Sequence, residues 1–373
     1  MRRFNFRVIG LFIAFSIVIF LVGCQKNLND SGNGRASGNN KEAQPKDLKN
    51  FVQVNLVGND FSFSPLHTDP NLLNPWGISF PPSGPVWVSA FGSGLRTAYN
   101  LDGVSMGTPL SLPKGGGSGP IRPSGNTFNP TADFKLPNGE PAQFILSTMN
   151  GTIIGCSESG SVATMYDEPS ASYLGITMAS DVNGNFFMYA ANFAQNKIDV
   201  FDKNWNKVNQ QLLDPDIPQG YSPYNVVTVS DGKIYVMYAK KGNDGNIESG
   251  PGKGYINIFS PEGKLVKRFA TKGKLNTPWG ITKAPGGFWG EWSQIPNLIL
   301  VANHGDGHIN VFDEEGNALG QLHSNGKVIE IDGLMGITFP PINGLNHYYM
   351  YFAAGPHNGD GGLVGYLRTQ SIN

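Results

Sequence analysis

The sequence predicts an all-β protein, a six-bladed β-propeller whose ring is closed by an N-terminal strand at residues 51–57. Three observations carry that prediction. First, segments starting near Asn74, Ile121, Ser172, Ser222, Asn276 and Gly333 each restate one pattern: a Gly-Ile-Thr-like run, an apolar run, a Gly/Asn turn and a run ending in an aromatic residue. Second, Phe187–Asp202 (FMYAANFAQNKIDVFD) and Leu298–Asp313 (LILVANHGDGHINVFD) match position by position without a gap. Repeats of this length and strand content are the signature of propeller blades. Third, the last repeat stops after three strands, Leu334–Phe339, Tyr348–Ala353 and Leu363–Leu367, while the strand-like run Phe51–Val57 (FVQVNLV) belongs to no repeat. Using that run as the outer strand of the last blade removes an unpaired edge.

Composition agrees. The chain is rich in Gly (49) and Pro (26), as many short strands joined by tight turns require. Its net charge of −1 supplies no field that would attract nucleic acid or an anionic membrane surface, and both are excluded as expected partners.

In chain order, the first element is a targeting signal over residues 1–23. Arg2, Arg3 and Arg7 form a basic start, and Val8–Val22 is an uncharged apolar run short for a membrane span. The run ends in Leu21-Val22-Gly23-Cys24, which resembles the lipobox of bacterial lipoproteins. That resemblance implies that Cys24 becomes the lipidated N-terminus and that the membrane is a partner through its acyl chains. Gln25 follows, not the Asp that resembles an inner-membrane retention signal, so the expected location is the bacterial cell envelope at the outer membrane. Residues 24–50 are dominated by Asn, Ser, Gly, Lys and Asp and read as a disordered tether. The propeller is expected over 51–373. Cys156 is the only cysteine left after processing, so the mature domain cannot form an internal disulfide.

Within each repeat the first strand carries the signature seen in Trp76-Gly77-Ile78-Ser79, Leu174-Gly175-Ile176-Thr177, Trp279-Gly280-Ile281-Thr282 and Met335-Gly336-Ile337-Thr338. Repeats two and four vary it as Ser124-Gly125-Asn126-Thr127 and Tyr224-Asn225-Val226-Val227. First strands line a propeller channel, where backbones converge, so the glycine is read as architectural. Third strands are expected to end at Tyr99, Cys156, Phe201, Phe259, Phe312 and Tyr366, which makes Cys156 a packing residue rather than a nucleophile. The acidic turns that follow, Glu314-Glu315 included, read as turn chemistry.

The runs His67-Thr68-Asp69-Pro70-Asn71-Leu72-Leu73-Asn74-Pro75-Trp76-Gly77-Ile78-Ser79, Gly250-Pro251-Gly252-Lys253-Gly254-Tyr255-Ile256 and Ala353-Ala354-Gly355-Pro356 resemble an uncharacterised bacterial family of exported propeller proteins. Some members of that family carry a PEP-type C-terminal sorting tail, which this chain lacks. The resemblance spans about Val52 to Leu367 and brings no established activity. More distantly, the repeats are similar to NHL-type repeats and gluconolactonase-like propellers, which implies a six-bladed plan.

Chemistry is then expected on the face that collects the loops between second and third strands and those between blades. The functional expectation is a non-enzymatic binding or scaffolding module, monomeric, that takes a carbohydrate, peptide or protein partner at the channel mouth. Trp76, Tyr224 and Trp279 would offer stacking surface, with Asn74, His67 and Asp69 beside them. Two metal sites are open alternatives to plain polar loops. His304, Asp306 and His308 alternate and would point one way on an extended backbone, as a transition metal requires. Asp244, Asn246 and Glu248 place oxygens at alternate residues and make calcium a possible cofactor. The competing function is a metal-dependent hydrolase or lactonase at the same mouth, with Asp69 and Asp332 as the nearest carboxylates. Lys114–Gly119 lacks the spacing of a phosphate loop, and no Ser/His/Asp order or Ser elbow is present. Trp289 and Trp292 are expected on the opposite face.

Overall fold

The computed structural model describes residues 48–116, 119–290, 295, 298–341 and 346–370. The signal segment, Cys24, most of the tether and Trp292 lie outside the described residues.

Six blades surround a central channel; five are four-stranded sheets, and the sixth carries an extra two-residue strand, His67–Thr68, at its outer edge. From the channel outward, blade 1 is Pro75–Ser79, Val86–Ala90, Leu95–Tyr99 and Leu110–Ser111. Blade 2 is Pro123–Phe128, Phe144–Thr148, Thr152–Cys156 and Val162–Asp167, and blade 3 is Tyr173–Ser180, Phe186–Asn192, Lys197–Phe201 and Lys207–Val208. Blade 4 is Tyr221–Thr228, Ile234–Lys240, Gly254–Phe259 and Leu265–Thr271. Blade 5 is Pro278–Lys283, Ile299–Asn303, Ile309–Phe312 and Ala318–Gln321. Blade 6 takes Leu334–Thr338, Met350–Ala354 and Leu363–Thr369 from the end of the chain and Phe51–Gly58 from its beginning. Among the described residues the only helical turns are short 3-10 pieces, and none could cross a membrane.

The closing strand pairs antiparallel with Leu363–Thr369, from Phe51 opposite Thr369 to Gly58 opposite Leu363. A bulge between Asn55 and Val57 turns Leu56 inward, where it is buried with Val57. Phe51 packs 4.9 Å from Phe288 and 6.0 Å from Trp289, both on the blade 5 connection Gly286–Trp289. Trp289 therefore lies on the face opposite the channel entry, as expected, and clamps the start of the closing strand. The packed chain reaches three residues further back than the sequence indicated, because Leu48 is buried in the same cluster.

The inner strands explain the repeated glycine. A Cβ at Gly77 would lie 2.6 Å from the Ser124 carbonyl oxygen of blade 2, and one at Gly125 would lie 2.8 Å from the Ile176 nitrogen of blade 3. Gly175 abuts Asn225 of blade 4, Gly280 abuts Met335 of blade 6, and a Cβ at Gly336 would lie 2.6 Å from the Trp76 carbonyl of blade 1. Blade 4 has Asn225 in the glycine slot, and its Nδ2 donates to the Trp279 carbonyl of blade 5 at 2.7 Å. Neighbouring inner strands thus touch backbone to backbone around the ring.

Third-strand ends mark the blade interfaces. Tyr99, Cys156, Phe201, Phe259 and Phe312 are buried there. Blade 6 departs from the sequence alignment: Leu367, not Tyr366, pairs with Met350 and is fully buried, whereas Tyr366 faces the other side and stacks on Tyr349 at 4.6 Å. One residue of register reverses the face of every side chain in a strand. The turns behave as expected, with Asp202 Oδ1 accepting from the Asn204 and Asn206 amides and Asp313 Oδ1 from Asn317. Glu314 pairs with Lys283, the last residue of the same blade's inner strand.

Candidate functional site: a hydroxyl-lined channel

Inner strands all run from one face, here called upper, to the other. The upper end of the channel is closed. Trp76, Leu174, Tyr224, Trp279 and Met335, one from each of five inner strands, pack together with Phe91 and Phe193 from second-to-third-strand loops. Trp76 lies flat on Phe91, with ring centres 4.3 Å apart, and meets Tyr224 and Trp279 edge-on. The long loop Lys240–Gly254 folds over this plug and sets Ile247 against it, while Lys241 sits 4.9 Å above the Phe193 ring and bonds Asn196 Oδ1 at 2.6 Å. The expected open stacking surface of Trp76, Tyr224 and Trp279 is thus corrected: apolar rings converging on a narrow axis bury each other and seal the mouth.

The remaining sequence candidates also find local partners. Asn74 adopts a positive φ of 44° and accepts from Trp76 Nε1 at 3.0 Å, which fixes the plug. Asp69 is buried and takes the Tyr99 hydroxyl at 2.8 Å, with Asn71 donating to its other oxygen. His67 is exposed on a two-residue strand paired with Val57–Gly58, outside the closing strand and away from the axis. Asp332 accepts from the His357 amide at 2.7 Å. Neither Asp69 nor Asp332 reaches the channel cavity.

The residues of the two metal expectations are held by local partners in this structure. Asp306 folds back on its own turn, accepting from Asn276 Nδ2 and the His308 amide at 3.1 Å. His308 meets Gln321 toward the outside, while His304 turns inward to within 6.4 Å of Trp76 and Tyr224. The tight turn splits the two imidazoles that an extended strand would have aligned. In the acidic loop, both Asp244 oxygens accept from Asn246, and Glu248 is held by Lys240 and Lys253, which keep its carboxyl below the usual range. Among the described residues no group of three His, Cys, Asp or Glu is placed to hold a metal. Cys156 is sealed between blades 1 and 2, and burial pushes its thiol up to about 12.

Below the plug the channel is hollow. A cavity of about 420 Å³ is lined by the C-terminal halves of the inner strands and reaches exposed Ser230 at the lower face. Trp279 forms part of its roof. Its walls carry one hydroxyl per blade: Ser79, Thr127, Thr177, Thr228, Thr282 and Thr338. Blade 4 has Val227 at the equivalent position and supplies Thr228 from the next one, bonded to Thr177 at 3.1 Å. The Ser79 hydroxyl is buried without a partner, and those of Thr127 and Thr338 reach only the next residue's carbonyl at 3.4 and 3.5 Å. These groups remain available to a ligand. No Asp, Glu, His or Cys is among the described residues lining the cavity, and its one cation, Lys283, is paired with Glu314. In the sequence this ring is the last position of the repeated Gly-Ile-Thr signature, whose glycine is architectural and whose hydroxyl residue faces the cavity.

Fold and channel together define a six-bladed β-propeller with an axial cavity beneath an aromatic plug. No family model matches the chain. Two uncharacterised proteins of Acanthamoeba polyphaga mimivirus are similar to it: one is 33% identical over 347 residues, covering 86% of this chain and 81% of the relative. The other is 32% identical over 341 residues, covering 86% of each. The chain belongs to the family of these viral proteins. Among solved structures it is similar in fold to a catalytically inactive virginiamycin B lyase from Staphylococcus aureus with quinupristin, at TM-score 0.50 and 16% identity over 86% of this chain and 99% of that one. A candidate gluconolactonase gives TM-score 0.53 at 12% identity, covering 88% of this chain and 97% of its own.

Proposed function

We propose that this protein is a non-enzymatic binding module whose ligand, an uncharged hydroxyl-bearing molecule of the carbohydrate class, enters the axial cavity from the lower face. The observation that carries the reading is the ring of hydroxyls around a cavity of about 420 Å³ whose described lining lacks any carboxylate, imidazole or thiol. Such a wall can exchange hydrogen bonds with a polyol in both directions. The lower entrance replaces the upper mouth as the binding face, and the protein acts as a monomer.

The test is thermal-shift measurement against a series of mono- and disaccharides. A saturable rise in melting temperature is expected for at least one member, and it should weaken in Thr282→Val; a flat response across the series would overturn the assignment.

Export and anchoring belong to the same proposal. The basic start, the apolar run and Cys24 support a lipid-anchored form in a bacterial envelope. On expression in a diderm bacterium the chain should fractionate with membranes, and Cys24→Ser should release it; membrane-bound Cys24→Ser would count against lipidation.

A further inference from the structure

Three polar atoms in the plug lack the partners that buried groups normally have. Tyr224 Oη, Trp279 Nε1 and His304 Nδ1 are all buried and unpartnered. Tyr224 is fully buried and Trp279 is 4% exposed; His304 is half-buried as a residue, and its Nδ1 is buried. All three rings pack around Trp76, with centre distances of 6.2 to 6.4 Å. An unpaired buried donor or acceptor costs stability, so three in one cluster call for a physical reason.

Their chemistry is complementary. Burial lowers the His304 pKa and favours the neutral imidazole, whose unpartnered Nδ1 accepts or donates according to tautomer. Trp279 Nε1 can only donate, and the Tyr224 hydroxyl can do either. The set offers donors and an acceptor to one group that itself both donates and accepts, which is a hydroxyl. The position agrees: Trp279 is the plug residue that also roofs the cavity, and Asn225, next to Tyr224, lines its wall. No side-chain hydrogen bond holds the indole in place.

We infer that the inner end of the channel is a second recognition element for the same ligand, in which Tyr224, Trp279 and His304 receive one ligand hydroxyl after the Trp279 indole turns aside. This rests on the cavity reading above and deepens it. The hydroxyl ring at the lower end holds the body of the sugar, and the plug reads one terminal hydroxyl. Orphaned polar atoms in the ligand-free protein are then the cost of that recognition.

The experiment uses Tyr224→Phe, which removes one oxygen and keeps the ring. The probe is the saccharide giving the largest shift with the wild type, and its deoxy analogues. Without ligand, Tyr224→Phe should melt at or above the parent, because an unsatisfied hydroxyl has been deleted. With ligand, its affinity should fall about tenfold, and the deoxy analogue lacking the recognised hydroxyl should bind parent and variant equally. Trp279 fluorescence should respond to the probe in the parent. A clear drop in ligand-free melting temperature would mean that the hydroxyl already has a partner and would overturn the inference. Binding that weakens in Thr282→Val but not in Tyr224→Phe would overturn it while leaving the cavity reading intact. A wild type that binds no saccharide would overturn both.

Discussion

Deletion of residues 51–58 is expected to lower the unfolding midpoint by about 10 °C or more, far beyond what eight residues near a chain end would ordinarily cost. The strand inserts Phe51, Leu56 and Val57 into two hydrophobic clusters, and burial of three such side chains contributes about 6 kcal/mol. Its loss also exposes the edge of Leu363–Thr369 and strips Phe288 and Trp289 of the ring they pack on. Because the strand joins the two ends of the chain, the deletion opens the ring rather than fraying a terminus. Phe51→Ala, which keeps the pairing, should cost about 3 kcal/mol. Circular-dichroism melting checks both. A truncated protein that melts with the parent would show that the last blade closes without this strand.

Replacement of Gly77 is expected to be strongly destabilising. A Cβ there would stand 2.6 Å from the Ser124 carbonyl oxygen and 2.7 Å from the Asn126 nitrogen, and these are backbone atoms of the next inner strand that cannot move without shifting a blade. Gly77→Ala should destabilise by about 3 kcal/mol, against the few tenths gained from a stiffer unfolded chain. Gly77→Val should fail to fold. The control is Gly286→Ala, where the nearest atom to a new Cβ is 3.7 Å away and φ is not positive; it should melt within a degree or two of the parent. Equal effects at both positions would show that the inner strands are looser than their spacing indicates.

Most of the architecture is legible in the sequence, because a repeat states the same local solution several times. The closing strand followed from a deficit in the last repeat and an orphan run at the start. Its bulge at Leu56 and its pairing from Phe51 to Gly58 did not, since a bulge depends on what the partner strand requires. Likewise, aligning aromatic residues placed Tyr366 in the packing slot that register gives to Leu367. The candidate site was less legible. Trp76, Tyr224 and Trp279 were correctly placed at the channel entry, but whether aromatic rings at a ring's centre stand open or fill it depends on the channel's width. His304 and His308 shared a sequence pattern with a metal pair and were parted by a turn.

By itself, the sequence determined the blade count, the order of strands, the residue that closes the ring's innermost layer and the chemistry of the turns. Each of these follows from spacing along the chain, and spacing is local. Only the tertiary structure decided that the upper end of the channel is sealed, that the polar residue ending each inner-strand signature faces a common cavity, and that Tyr224, Trp279 and His304 are left without partners at its inner end. Those properties belong to distances between blades, and residues about fifty positions apart meet at the axis only once all six blades have closed around it.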